Sequence, residues 1–206
     1  MIAGDKNNEV HLVGSWRTLI GDMDTYGMHL KSLNSIDFCG PPWTLLTHSF
    51  ANSFLVHIWE YKGYPGFHHT QNVVHANPKY IRYLERLRPL LRSRESDLAQ
   101  EFSFWGGTAQ PHHFGGIFEL RTYDLQAGKL MEWEQHWRKG IECRRQVMEP
   151  VGAWFSQLGR LNRVYHLWQF ADLEHRKISR EKCWELPGWA ETVRIEHYKG
   201  QNNNNI

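Results

Sequence analysis

The hexapeptide Tyr165-His166-Leu167-Trp168-Gln169-Phe170 decides the fold, because a close counterpart, Val56-His57-Ile58-Trp59-Glu60-Tyr61, occurs in the first half of the chain. Each copy precedes a stretch of helical periodicity. Upstream of each lies a strand of glycine and aromatic residues, Leu12-Val13-Gly14-Ser15-Trp16 in one case and Val151-Gly152-Ala153-Trp154-Phe155 in the other. Two copies are too few for a solenoid, so the repeat predicts two small modules in tandem.

The second half of the chain has the pattern β-α-β-β-α. Ile117 to Tyr123 alternates as a strand does, and Lys129 to about Arg145 carries its apolar residues on one helical face. Two strands, 151–158 and 163–170, then precede a helix that begins at Ala171-Asp172. One more strand would complete a ferredoxin-like β-α-β-β-α-β unit.

The first half has the pattern β-β-α-β, which is the same unit without its opening strand and helix. Gly63 to Gly66 has the composition of a turn, and Asn77-Pro78 has that of a helix start, with Asn77 as the N-cap. Pro89 should kink or divide this helix, and residues 99–105 alternate as another strand. The predicted fold class is therefore α+β, with tandem ferredoxin-like modules that are both incomplete at their outer ends.

These patterns set the predicted domain limits. The first module spans residues 1–105 and the second residues 117–193, joined by a Gly-, Pro-, Thr- and His-rich linker at 106–116. Residues 26–52 interrupt the first repeat as an insert, in which 38–43 fit neither strand nor helix. Residues 194–206 form a polar tail that we expect to be disordered. Two explanations for insert and tail stay open: translated introns, or a lineage-specific surface loop and a genuine tail.

Composition narrows the function classes. A net charge of +2 with 22% charged residues is ordinary, so no nucleic-acid partner is predicted. No apolar run approaches the roughly 18 residues of a transmembrane helix. The 3 cysteines form no paired framework. The paired histidines His68-His69 and His112-His113 lack the Cys or carboxylate companions usual in zinc sites, so no metal site is predicted.

Several motifs in order resemble the NipSnap family. They are Glu101-Phe102-Ser103-Phe104-Trp105, Phe118-Glu119-Leu120-Arg121-Thr122-Tyr123, Gly128-Lys129-Leu130-Met131-Glu132-Trp133, Phe155-Ser156-Gln157-Leu158-Gly159 and Gly188-Trp189-Ala190-Glu191-Thr192-Val193. The resemblance covers about residues 10–25 and 54–193. It implies tandem modules of the dimeric α+β barrel type, an association with mitochondria, and roles in membrane traffic or mitochondrial quality control. It supplies no catalytic residues.

The resemblance therefore favours a non-enzymatic mitochondrial scaffold or adaptor with protein partners, and leaves a homo-oligomer open. Because no presequence is recognisable at the N-terminus, retention in the cytosol is the alternative location. The alternative function is a small-molecule or haem-handling α+β barrel enzyme of the monooxygenase kind, although fold analogy is weak support for function.

Five residues are candidates for facing a ligand. His57 and His166 hold equivalent places in the two repeats. Glu119, Arg121 and Tyr123 lie two apart and so share one strand face. A Glu–Arg pair in a barrel interior could bind a small anion or position a substrate, or it could be a partly exposed ion pair. No catalytic residue and no cofactor is predicted.

Overall fold

The computed structural model describes residues 10–18, 43–48, 53–106 and 116–193, and all structural statements below concern these residues. Within the first two segments, and at residues 53–55, 57 and 92, only the backbone is described. The chain divides into two compact units. The first comprises residues 1–101 and 156–161, and the second comprises residues 102–155 and 162–206.

The first unit contains four strands. They are β1 (Val10–Thr18), β2 (Trp43–His48), β3 (Ser53–Tyr61) and β4 (Leu91–Glu101). Their order is β2-β3-β1-β4, with each neighbouring pair antiparallel. Strand β1 pairs antiparallel with β3, the strand that contains the first copy of the repeated hexapeptide, and Gly14 lies opposite His57.

Strand β2 lies inside the predicted insert at residues 26–52, where the sequence analysis predicted no strand. The strand pairs with β3 from Trp43 opposite Ile58 to His48 opposite Ser53. The run of strand-forming residues is short and directly follows Pro41-Pro42, a pair typical of loops, so the sequence pattern did not indicate a strand. The rest of residues 26–52, the central part of the linker and the tail at 194–206 lie outside the described residues.

Two helices connect β3 to β4: α1 (Gly63–Ala76) and α2 (Pro78–Leu87). The predicted turn at Gly63 to Gly66 is wrong, because α1 begins there. Pro65 falls in the first helical turn, where a missing N–H costs little.

The predicted N-cap is confirmed: the Asn77 Oδ1 accepts from the Lys79 N–H at 2.9 Å. Pro89 ends the helix rather than kinking or dividing it, because α2 stops at Leu87 and a short 3-10 turn at Arg88–Leu90 follows. Strand β4 spans Leu91–Glu101, so it begins and ends earlier than the strand predicted at 99–105.

The second unit has the predicted order β-α-β-β-α. Its elements are β5 (Ile117–Asp124), α3 (Leu130–Arg145), β6 (Glu149–Leu158), β7 (Arg163–Phe170) and α4 (Leu173–Glu185). Strand β7 pairs antiparallel with both β6 and β5. Helix α4 begins where predicted, because the Asp172 carboxylate caps it by accepting from the His175 N–H at 2.7 Å.

The core of the second unit is unusually aromatic. On the predicted apolar face of α3, Trp137 and Ile141 are buried, and Leu130 and Trp133 pack against the same cluster. Trp105 stacks on Trp137 with ring centroids 5.5 Å apart and planes 4° apart. Burial of such large rings stabilises a domain through the area that each removes from water. This core holds α3 against the sheet and so places the side chains described below.

Candidate functional site

Strands β5 and β7 bring four of the predicted residues onto one face of the sheet. Arg121 lies directly opposite His166, and Glu119 lies opposite Trp168. Directly opposed residues of an antiparallel pair project from the same face, and Tyr123 follows on that face of β5. His57 was the fifth predicted residue. Its backbone pairs within β3, and its side chain lies outside the described residues.

Glu119 is the only carboxylate that the described ion pairs place among these residues, and it is surrounded by arginines. The Arg176 guanidinium of α4 donates to both Glu119 oxygens, from Nη2 at 2.7 Å and from Nε at 3.2 Å. Arg121 donates from Nη2 at 3.1 Å, and the Arg180 Nη1 lies 3.8 Å from Oε1. Bidentate Arg–carboxylate pairs are among the stronger protein hydrogen bonds.

These contacts determine the protonation of Glu119. Partial burial alone would raise the pKa of the carboxyl. The hydrogen bonds from Arg176 and Arg121 outweigh burial and lower the pKa from 4.5 to about 2. Glu119 is therefore ionised throughout the physiological range.

Arg144 is the member of the site that sequence reasoning missed. It continues the apolar stripe of α3, three residues after Ile141, and its side chain is only 6% exposed. A basic residue in line with a buried helical stripe was the available signal. Arg176 and Arg180, four apart on α4, were missed because no pattern on that helix indicated which strand it faces.

Arg144 is held by aromatic rings rather than by a carboxylate. Its guanidinium carbon lies 4.1 Å from the Trp189 ring centroid and 5.4 Å from that of Trp168, within cation–π range. Among the described residues it has no ion-pair partner, and its buried Nε has no hydrogen-bond acceptor. Burial, followed by the charge of Arg121, lowers the pKa of Arg144 to about 10, so the group stays charged at neutral pH.

His166 is buried beside these cations. Its ring stacks on Trp137 with centroids 3.8 Å apart, and the rings of Trp133 and Tyr123 lie at 5.3 Å. Burial, and then the charges of Arg144 and Arg121, lower the pKa of His166 well below 6.5. The imidazole is neutral at physiological pH.

Three buried polar atoms of this region have no hydrogen-bond partner within the described part of the chain: Arg144 Nε, His166 Nε2 and Trp168 Nε1. Native proteins rarely leave such atoms unpaired, because each loses its bonds to water on burial. The cluster formed by Glu119, Arg121, Tyr123, Arg144, His166, Trp168, Arg176 and Arg180 is called the arginine cluster below. It holds four guanidinium groups against one carboxylate, so its net charge is strongly positive.

The described residues contain no group of three or more His, Cys, Asp or Glu side chains arranged to hold a metal ion. In the same residues, no helix has both the length and the apolar character needed to cross a membrane. The chemistry available in the arginine cluster is thus the binding of negative charge by guanidinium and indole N–H groups.

The fold defines the class of protein. The second unit has the first five elements, β-α-β-β-α, of a ferredoxin-like module, and the chain is an α+β protein. A solved structure from Fusobacterium nucleatum, of a protein named as a candidate monooxygenase, shares this fold. The TM-score is 0.65 at 8% identity, and the match covers 95% of this chain and 88% of that one.

Sequence comparison identifies the family. A sequence model described as NIPSNAP matches residues 118–203. The chain is 32% identical over 190 residues to protein NipSnap homolog 2 of Homo sapiens, across 92% of this chain and 56% of the relative. It is 29% identical over 188 residues to protein NipSnap of Drosophila melanogaster, across 91% and 58% respectively. The chain belongs to the NIPSNAP family, and it spans little more than half the length of these relatives.

Proposed function

We propose that the second unit binds a small organic anion in the arginine cluster. The observation that carries this proposal is the buried guanidinium of Arg144, which has no carboxylate partner among the described residues. A buried charge is costly unless it is paired. An anionic ligand would supply the pair.

The neighbouring groups support an anionic ligand. Glu119 is already engaged by Arg176 and Arg121 at 2.7 to 3.2 Å, so its charge is balanced by those two arginines. The Trp168 Nε1–H is a further buried donor. A carboxylate can accept from a guanidinium and an indole at once, whereas a cation would meet repulsion from four arginines.

Calorimetric titration of the full chain with phenylacetate tests this proposal. We expect saturable binding that weakens at least about tenfold in Arg144→Met, as the loss of a charge-assisted hydrogen bond implies. Arg138→Met is the matched control, because Arg138 is exposed on the same helix and pairs with Glu134 at 3.0 Å. Absence of binding to phenylacetate, benzoate and acetate at millimolar concentrations would exclude the proposal.

A non-enzymatic mitochondrial adaptor, in quality control or membrane traffic, is the second candidate. Family membership supports it, and so do two large apolar side chains at opposite ends of α4, Leu173 and Trp184, which are 68% and 52% exposed. Fractionation of the source cells, with antibody detection of the native protein, tests the location. Recovery outside mitochondria would count against this role.

A haem-handling enzyme is the remaining alternative. The neutral His166 imidazole with its unpartnered Nε2 is the form that ligates iron. Against this, the ring stacks on Trp137 at 3.8 Å and has two further aromatic rings close by. A Soret shift during haem titration that disappears in His166→Ala would favour this alternative over an anion site without iron.

A further inference from the structure

The geometry of the arginine cluster points to a more specific ligand: we infer that the site takes a small hydroxycarboxylic acid, whose carboxylate meets Arg144 and Trp168 and whose hydroxyl donates to His166. This inference rests on the proposed anion site and names its ligand class. It follows from what the three unpartnered buried atoms can donate or accept.

Two of these atoms can only donate. The Arg144 Nε and the Trp168 Nε1 each carry a hydrogen and have no lone pair to offer. Both are buried without an acceptor in the described residues. The two side chains are neighbours, because the Arg144 guanidinium carbon lies 5.4 Å from the Trp168 ring centroid. A carboxylate supplies two acceptor oxygens, enough for both donors.

The third atom acts as an acceptor. A neutral imidazole carries one N–H and one bare nitrogen. Arg144 and Arg121 are the charges that act on His166, and both are positive. An N–H dipole directed towards cations is unfavourable, whereas a lone pair directed towards them is favourable. We assign the hydrogen to Nδ1 on this basis, which makes the buried, unpartnered Nε2 a bare acceptor. Its complement on the ligand is a donor.

That donor is a hydroxyl rather than an ammonium group. The cluster has four guanidinium groups and one carboxylate, and Glu119 is already paired. An ammonium group would meet like charge from Arg121 and Arg144, which costs free energy in a partly buried site. A hydroxyl is neutral and satisfies Nε2 without that cost. The site should thus reject amino acids while accepting the matching hydroxy acids.

Three compounds with one carbon frame separate these cases: mandelate, phenylacetate and phenylglycine. They carry a hydroxyl, a hydrogen and an ammonium group at the same carbon. In calorimetric titrations of the full chain at neutral pH, we expect one mandelate enantiomer to bind about tenfold more tightly than phenylacetate, the factor expected of one added buried hydrogen bond. Phenylglycine should bind at least about tenfold more weakly than phenylacetate.

His166→Phe tests the acceptor directly, because phenylalanine keeps a flat ring against Trp137 and removes the nitrogen. We expect the preference for mandelate over phenylacetate to disappear in this variant. His166→Gln offers a carbonyl acceptor in place of Nε2 and should restore part of the preference. The comparison of the three acids in the unmodified chain stands even where a variant fails to fold.

The outcomes separate this inference from the proposal on which it rests. Equal affinity for mandelate and phenylacetate would overturn the hydroxy-acid inference and leave the anion site in place. Phenylglycine binding as tightly as mandelate would also overturn it. If none of the three compounds and no simple carboxylate bound, both the hydroxy-acid inference and the anion site would be excluded.

Discussion

The imidazole of His166 stacks on the indole of Trp137, with ring centroids 3.8 Å apart and planes inclined by 29°. Trp137 belongs to α3 and His166 to β7, so this contact joins the helix to the sheet inside the second unit. It also covers one face of the imidazole with an apolar ring while Arg121 and Arg144 supply positive charge nearby. A protonated imidazole would be disfavoured on both counts.

Folding stability should therefore fall as pH drops below the ordinary histidine value. The pKa of His166 is depressed in the folded state, so below pH 6.5 the unfolded chain binds a proton that the folded chain excludes. Stability then decreases with falling pH between 6.5 and the folded pKa, and is unaffected by this group above that range. Urea unfolding followed by tryptophan fluorescence at pH 7.5 and 5.5 measures the difference.

His166→Phe is the matched variant for this experiment, and its loss of stability between pH 7.5 and 5.5 should be smaller than that of the unmodified chain. His136→Phe, a change on α3 away from this face, should leave the pH dependence in place. An identical pH dependence in His166→Phe would mean that the buried imidazole is not its source.

Glu119→Gln should destabilise the second unit and strengthen anion binding. The amide cannot balance the charges of Arg176 and Arg121, which now pair with Glu119 at 2.7 and 3.1 Å. The expected cost is roughly 1–3 kcal/mol in the free energy of unfolding at pH 7. The same change removes a negative charge from the site, so phenylacetate should bind more tightly. Urea unfolding and calorimetry measure the two effects.

The pH profile identifies the group responsible. Because the arginines lower the pKa of Glu119 to about 2, its stabilising effect is full above pH 4.5 and is lost as pH falls towards 2. Glu119→Gln should lack that component. Glu174→Gln is the control, since Glu174 is exposed and lies 3.9 Å from Lys177. A control that costs as much as Glu119→Gln would contradict the assignment.

The elements of the second unit were predictable because each has strong local signals. Residues 117–123 alternate, α3 has an unbroken apolar stripe, and Asp172 caps α4. The shared face of Glu119, Arg121 and Tyr123 followed from strand periodicity alone. Arg144, Arg176 and Arg180 did not follow, because their place in the site depends on how two helices rotate against the sheet. The packing of the tryptophans sets that rotation, and no local pattern in the sequence indicates it.

Gly140→Ala should destabilise the second unit by roughly 1–3 kcal/mol, as overpacking of a tight contact does. A Cβ at this position of α3 would collide with the Thr192 side chain. Thr192 is buried in the helical turn at 189–193, and its hydroxyl donates to the Gly188 carbonyl at 3.1 Å. Alanine is otherwise the better helix former. A variant that is more stable in thermal unfolding would therefore show that the turn at 189–193 can move to make room for the methyl group. Lys139→Ala is the exposed neighbouring control.

Asn77→Ala should cost about 1 kcal/mol of stability in the first unit, since it removes the side chain that caps α2. The Asn77 Oδ1 accepts from the Lys79 N–H at 2.9 Å, and Pro78 fixes the first helical position. Asn72→Ala, an exposed change within α1, should be neutral or slightly stabilising. If the two changes lowered the urea midpoint equally, the Asn77 cap would not contribute to the stability of α2.

Arg144→Met separates a ligand-binding role from a structural one. A structural buried ion pair loses roughly 3–5 kcal/mol when one partner is removed, because the other is left buried and uncompensated. Arg144 has no such partner among the described residues, so its removal leaves no orphaned charge. It also relieves repulsion from Arg121 and Arg180. The loss is limited to the aromatic contacts with Trp189 and Trp168, of roughly 0.5–2 kcal/mol.

We therefore expect the free energy of unfolding of Arg144→Met to fall by no more than about 2 kcal/mol, even as anion binding is lost. Arg145→Met, the adjacent residue of α3, is the contrasting variant. Arg145 donates to the Trp105 carbonyl and to Glu142, so its removal should be more destabilising and leave phenylacetate affinity unchanged. A loss of several kcal/mol in Arg144→Met would instead identify Arg144 as structural. If Arg144→Met kept its affinity for anions, Arg144 would not belong to the binding site.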